Sequence, residues 1–252
     1  MLRLLEMEME LPPEEKLYSS MGSIFHGILM EKISPAIASK LHKAGLRPYS
    51  QCLYYDRERN TAIWRLGFLN DAIYAVFADI LQEGRMFFLK QHNYAVTCVK
   101  RIMVKEMSYE ELVDSVFMAK TAPDGAEFHF LTVTGFKRAG TYVIMPEAFL
   151  VFQSLLLHWN SFSSYAKLEE MNLAENLAAY SRISRYQLHS QAYSVEHRNI
   201  QGFCGTLHFR FIGNDMTNRI LGLLSMYAPF AGIGIKKALG MGGTNIELYR
   251  KE

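Results

Sequence analysis

Apolar residues alternate with glutamates over the first eleven positions. Leu2 and Leu4 share one phase; Met7, Met9 and Leu11 share the other. Alternation with a change of phase predicts a strand carrying a bulge, closed by Pro12 and Pro13. From Glu14 to Lys32 the spacing lengthens: Leu17, Met21, Ile24, Phe25, Ile28 and Leu29 fall on one helical face, and Glu14 and Glu15 suit a helix start. Ser34 as cap and Pro35 at the first position open a shorter helix that stops near Gly45. Residues 49–56 and 61–69 read as a hairpin around Asp56-Arg-Glu-Arg-Asn, 70–83 as a helix, and 85–105 as two further strands. That order of strand, helix, strand, strand, helix, strand is ferredoxin-like.

Lys120-Thr-Ala-Pro-Asp-Gly interrupts the pattern and is the candidate linker. Beyond it the cycle restarts, with a strand over 127–135, a helix over 146–159, paired strands over 182–196 and 203–212, a helix over 215–228, a glycine-rich stretch and a strand over 244–249. The expected class is α+β, with tandem ferredoxin-like (βαββαβ) domains over 1–120 and 125–252. No sequence repeat links the halves; what repeats is the order of elements.

Composition narrows the function. A chain of 252 residues, half of them hydrophobic, buries a full core. Its net charge of +2 argues against a tail-driven nucleic-acid binder, so any nucleic-acid site must be a local cluster. Cys52, Cys98 and Cys204 have no paired spacing, so neither a disulfide framework nor a zinc motif is suggested, and no cofactor is implied. The N-terminus is too charged for a signal peptide, and no apolar run is long enough to span a bilayer. A cytoplasmic protein is expected.

The densest chemistry lies in Ala231–Asn245. Gly232, Gly234, Gly240, Gly242 and Gly243 can curl consecutive N–H groups around an anion, with Lys236 and Lys237 supplying counter-charge. The spacing matches neither the dinucleotide fingerprint nor a nucleotide P-loop, and the order is helix, loop, strand where phosphate loops run strand, loop, helix. A plain glycine turn is the competing reading.

This segment, from Gly202-Phe203-Cys204-Gly205 through Gly232-Ile-Gly-Ile-Lys-Lys-Ala-Leu-Gly-Met-Gly, resembles the C-terminal half of the CRISPR-associated repeat-processing endoribonucleases, the Cas-six family of the RAMP superfamily. Phe130-Leu-Thr-Val-Thr-Gly-Phe-Lys and Phe152-Gln-Ser-Leu-Leu-Leu-His-Trp-Asn extend the resemblance, and Leu41-His-Lys-Ala-Gly-Leu-Arg carries it more loosely into the N-terminal half. The resemblance implies CRISPR repeat RNA as partner and cleavage within repeats to release guide RNAs. A CRISPR effector complex is a further partner it allows, and exposed apolar residues leave a homodimer open. The alternative is a non-catalytic RNA-binding subunit of an effector complex, because such subunits carry similar loops.

Of eight histidines, His92, His129, His158, His189, His197 and His208 have no neighbouring pattern that demands catalysis. His42 ends the short helix among Lys40, Lys43 and Arg47, a setting that suits a proton donor and equally an exposed helix-end histidine. The family's catalytic histidine occupies this Leu-His position before a glycine, so the resemblance assigns the role to His42. His26 falls where relatives carry a tyrosine or a second histidine, and a base is implied there, against a core histidine as the plain reading. Arg47 falls closest to the family's basic position, with Lys43 as competitor. The implied reaction is metal-independent: a 2′-hydroxyl attacks the adjacent phosphorus and leaves a 2′,3′-cyclic phosphate and a 5′-hydroxyl. Gly232, Gly234, Lys236, Lys237, Gly240 and Gly242 would contact the RNA backbone, with Lys43, Arg182 and Arg185 extending the basic track.

Overall fold

The computed structural model describes residues 1–195 and 198–250, so His197 and the last residue of the strand expected over 182–196 lie outside the described residues. The N-terminal half comprises β1 (Leu2–Glu10), α1 (Gly22–Lys32), α2 (Pro35–Lys43), β2 (Tyr49–Asp56), β3 (Thr61–Phe68), α3 (Asp71–Ala78), β4 (Met86–Leu89) and β5 (Tyr94–Met107). Its sheet is antiparallel in the order β2-β3-β1-β5-β4. The phase change in the first strand has a direct counterpart. The pairing of β1 with β5 shifts register between Leu4 and Leu5 and again between Glu8 and Met9. Leu2 and Leu4 therefore enter the core of the C-terminal half, while Leu5, Met7 and Met9 enter that of their own. One strand feeds two cores.

The long first helix is shorter than its apolar spacing predicts. Glu14 follows the two prolines with φ of 69°, residues 19–21 form a 3-10 turn, and α1 proper begins at Gly22. The Ser34 cap and Pro35 start of α2 are observed, with Ser34 Oγ accepting from the Ile37 N–H. The helix expected over 70–83 is α3 and stops at Ala78.

The C-terminal half comprises α4 (Tyr109–Phe117), β6 (Gly125–Thr134), a small hairpin of β7 (Phe136–Arg138) and β8 (Thr141–Val143), α5 (Ala148–Phe162), α6 (Leu173–Ala179), β9 (Ser181–Val195), β10 (Arg198–Phe211), α7 (Asp215–Ala231) and β11 (Thr244–Tyr249). The four long strands pair in the order β11-β6-β10-β9. With β6 as first strand this is the ferredoxin-like order 4-1-3-2, and β5-β1-β3-β2 repeats it in the other half with β4 added outside. The fold is a tandem of ferredoxin-like sheets. Phe128 and Phe130 on β6 turn toward α5 and α7 in a core that also holds Phe152, Trp159, Phe209 and Tyr227. Alternation sends Glu127 and His129 to the opposite face.

α4 precedes the expected linker in sequence but packs with the later half. Tyr109 and Leu112 enter its core, and Arg219 on α7 donates to the carbonyls of Val116, Phe117 and Ala119. Among the described residues no helix is long and apolar enough to cross a membrane.

Candidate active site

The glycine-rich loop leaves α7 at Gly232 and is driven between the two sheets. Its N–H groups are spent on protein: Gly232 donates to Ala228 O, Ile233 to Gly242 O, Gly234 to Ser154 Oγ, Ile235 to Gly135 O, Gly240 to Lys237 O, Gly242 to Val133 O and Gly243 to Thr132 Oγ1. The cradle of N–H groups expected around an anion is thus not what these glycines form. They serve close approach instead. Gly242 has φ of 74°, and a Cβ there would sit 2.0 Å from Ile233 O; a Cβ on Gly240, φ 105°, would meet the Tyr193 hydroxyl at 2.2 Å. Tyr193 is fully buried, and its single hydroxyl proton lies between Ser19 O and Leu239 O, both within hydrogen-bond distance, so it clamps the loop to the segment before α1. Gln51 on β2 gives its amide N–H groups to Gly22 O and Ala238 O and takes one from Trp64 Nε1.

Where the loop reaches the N-terminal half, a cleft of about 390 Å³ opens, lined by Arg47, Tyr49, His158, Gly234, Lys236 and Lys237 among others. Arg47 and Lys236 give its wall positive charge, with Lys237 and His158 buried beside them; among the described residues of its wall there is no carboxylate. Opposite charge is what such a wall attracts. Arg47 Nε donates to Leu41 O at 3.1 Å, so the guanidinium is seated against the last turn of α2, one residue from His42. The hydroxyl of Tyr49 lies 2.8 Å from His26 Nδ1, with the two rings nearly parallel. Burial pushes the Tyr49 phenol up, with Arg47 pulling weakly the other way, so this hydroxyl keeps its proton. His26, Tyr49, Arg47 and the end of α2 that carries His42 therefore form one linked group beside the loop. His42 and Lys43 are exposed at that helix end.

Lys237 corrects its sequence assignment. It was expected to face RNA with Lys236, yet it is 7% exposed, its stem passes over Gly232, and its Nζ meets His158 Nδ1 at 3.0 Å. Burial holds the Lys237 amine well below the usual lysine range. His158 is pushed down to about 2, by burial first and by Lys237 second. His158 has no neighbouring sequence pattern that demands a role. Its position one turn beyond Ser154, which takes the Gly234 N–H, is what brings it under the loop. Nothing in the sequence singled out Tyr49, which opens an ordinary strand.

Arg182 and Arg185 are exposed on β9, but Arg185 lies eight residues along the strand from Tyr193, about 26 Å from the loop. They do not extend the track at the cleft. Arg185 instead reaches His208 and Glu127 on the open face of the C-terminal sheet.

Two antiparallel ferredoxin-like sheets with a helix, glycine loop and strand closing the second make a class of fold shared with a solved RAMP protein. A solved RAMP protein that binds different RNA substrates superposes with a TM-score of 0.62 over 97% of this chain and 99% of that one, at 12% identity. Within that class the chain resembles the Cas6 family over nearly its whole length. The model of the CRISPR-associated endoribonuclease Cas6 family matches residues 128–244. The chain is 27% identical to a CRISPR-associated endoribonuclease Cas6 of Streptococcus thermophilus, covering 88% of this chain and 90% of that protein. It is also 27% identical to one of Mycobacterium tuberculosis, over 96% and 77%. Among solved structures, a Cas6 product complex has a TM-score of 0.79 at 24% identity, covering 98% of this chain and all of the other. Thermus thermophilus Cas6 gives 0.74 at 23%, covering 98% of each.

Proposed function

We propose that this protein is a CRISPR repeat-processing endoribonuclease that cuts RNA by attack of a 2′-hydroxyl on its own neighbouring phosphodiester. The observation that carries the reading is the basic cleft, in which Arg47 is held against the end of α2 that carries His42 while Tyr49 holds His26. The Cas6 names of the relatives, and solved neighbours in complex with product or a substrate mimic, support repeat RNA as the ligand.

The residues divide the work as follows. His26 takes the proton of the 2′-hydroxyl, and the resulting oxygen bonds to phosphorus as the bond from phosphorus to the 5′-oxygen breaks. His42 gives its proton to that departing oxygen. A 2′,3′-cyclic phosphate and a 5′-hydroxyl result, and proton exchange with water resets both imidazoles. Action of His26 as a base through Nε2 requires Nδ1 to carry the proton, donated to the Tyr49 oxygen; the phenol then fixes the tautomer. Arg47 balances charge on the pentacoordinate phosphorus.

The test is repeat RNA incubated with the purified protein in EDTA, beside the same RNA with a single 2′-deoxy nucleotide at the mapped cut. Cutting of the first and sparing of the second is expected. Tight binding with neither cut would leave the non-catalytic RNA-binding subunit, and cutting of both would overturn the 2′-hydroxyl mechanism.

A further inference from the structure

The open face of the C-terminal sheet carries a second cluster of functional groups, away from the cleft. Cross-strand pairing sets Glu247, Glu127, His208 and Arg185 in one row across β11, β6, β10 and β9, and Asn245, His129, Thr206 and Gln187 in the next. His129 precedes Gly135, which accepts from the cleft-lining Ile235, by six residues, so the cluster lies about 20 Å along the strand from the cleft, although the end of the loop at Gly243 pairs nearby with Leu131.

Two features of this face are unfavourable as they stand. Glu127 and Glu247 are directly opposed on neighbouring strands, where like charges repel. His208 Nε2 touches Glu127 Oε2, an acceptor, and lies 2.8 Å from Arg185 Nη2, a donor. A neutral imidazole nitrogen either donates or accepts, so one of these contacts is mismatched in each tautomer; a charged imidazolium satisfies the carboxylate but faces the guanidinium. On the other side Glu127 Oε1 lies 2.6 Å from His129 Nε2, whose Nδ1 is held by Thr206 Oγ1 at 3.2 Å. Ligand atoms of Glu127, His129 and Glu247 all lie within 4.8 Å of one another.

A cation answers both problems. We propose that Glu127, His129 and Glu247, with His208 alongside, form a binding site for a divalent cation of the zinc class. Two carboxylates and an imidazole nitrogen are the oxygen and nitrogen donor set that suits such ions. Bonds of about 2.0–2.1 Å place neighbouring ligand atoms roughly 3.3 Å apart in a tetrahedron, a shift of about an ångström or so from the present spacings. The ion neutralises the opposed glutamates, and His208 Nε2 is then left to donate to Glu127 Oε2 alone. Arg185, 74% exposed, swings out to water. Thr206 becomes the outer partner that fixes the His129 tautomer. The site would brace three strands and is independent of the reaction in the cleft.

The experiment is zinc binding to the full chain after chelation and desalting, read as metal retained per chain and as the thermal midpoint with and without zinc. One zinc per chain and a rise in midpoint are expected for the wild type. Glu247→Gln and His129→Asn should each lose both effects, Thr206→Val should weaken binding about ten-fold, and His92→Asn, at an exposed histidine elsewhere, should change neither. Glu247 is exposed, so its variant folds and keeps the comparison meaningful. A wild type that retains no zinc, or Glu247→Gln and His129→Asn variants that retain it as the wild type does, would overturn the site.

Discussion

Lys236 and Lys237 are neighbours in sequence and opposites in environment. Lys236 lines the cleft in a left-handed conformation with φ of 54°, and that turn of the backbone sends the next side chain inward. Because burial lowers the Lys237 pKa, the unfolded chain binds a proton there that the folded chain resists. Stability should therefore rise with pH until the unfolded lysine itself titrates near 10.5. Lys237→Met is expected to unfold at a higher temperature than the wild type at pH 7, with the gap closing toward pH 10. The same variant should leave the salt dependence of RNA binding unchanged, whereas Arg47→Ala should flatten the slope of log K on log salt by about 0.7. A flattened slope for Lys237→Met would show that this lysine reaches phosphate after all. For the chemistry, His42→Ala should lower the single-turnover cleavage rate by about 10² to 10⁴ with RNA affinity retained. Tyr49→Phe removes one hydrogen bond of about 1 kcal/mol and should slow cleavage several-fold. A helix cap, a proline and a glycine made the end of α2 legible, and the family resemblance, not spacing, singled out His42 and Arg47 there. Tyr49 and His158 were not legible, because their roles come from neighbours 23 and 79 residues away.

At the scale of elements, the glycine loop acts as a wedge. Gly242 combines φ of 74° with a neighbouring carbonyl where a Cβ would go, while Gly84, φ 76°, has nothing within 4 Å of that point. Gly84→Ala should cost only the backbone term of roughly 1–2 kcal/mol. Gly242→Ala adds a clash and is expected to cost clearly more, with a loss of RNA cleavage because the loop forms one wall of the cleft; urea unfolding of the two variants side by side checks this. Strand alternation was strong enough to reveal every long strand, and the phase change in β1 foretold its bulge. α4 and α6 were missed for want of long apolar stripes: they are nine and seven residues, stabilised by packing against the second core.

Across the whole molecule, a buried ion pair helps join the halves. Glu6 is 1% exposed and accepts from Arg65, Arg59 and Tyr54, and Arg65 reaches on to Asn245 on β11. Burial alone would raise the Glu6 carboxyl, but Arg65, Arg59 and Tyr54 outweigh it and hold the pKa below the ordinary 4.5. Its contribution is then fully present above about pH 4.5 and lost as pH falls through the depressed value. Glu6→Ala should cost about 3–5 kcal/mol at pH 7, because it strands a buried guanidinium. The difference from wild type in urea unfolding should shrink as the pH is taken below 4.

The sequence by itself determined which segments are strands and helices, their repeated order, and the clustering of His42, Lys43 and Arg47, since these depend on spacing within a few residues. Tertiary structure alone decided that the glycine N–H groups serve the protein, that Lys237 is buried on His158, that Arg185 belongs to the opposite face, and that Glu127, His129, His208 and Glu247 meet. Each of those outcomes rests on contacts between strands or loops distant along the chain, and residue spacing carries no record of which distant partner a side chain will meet.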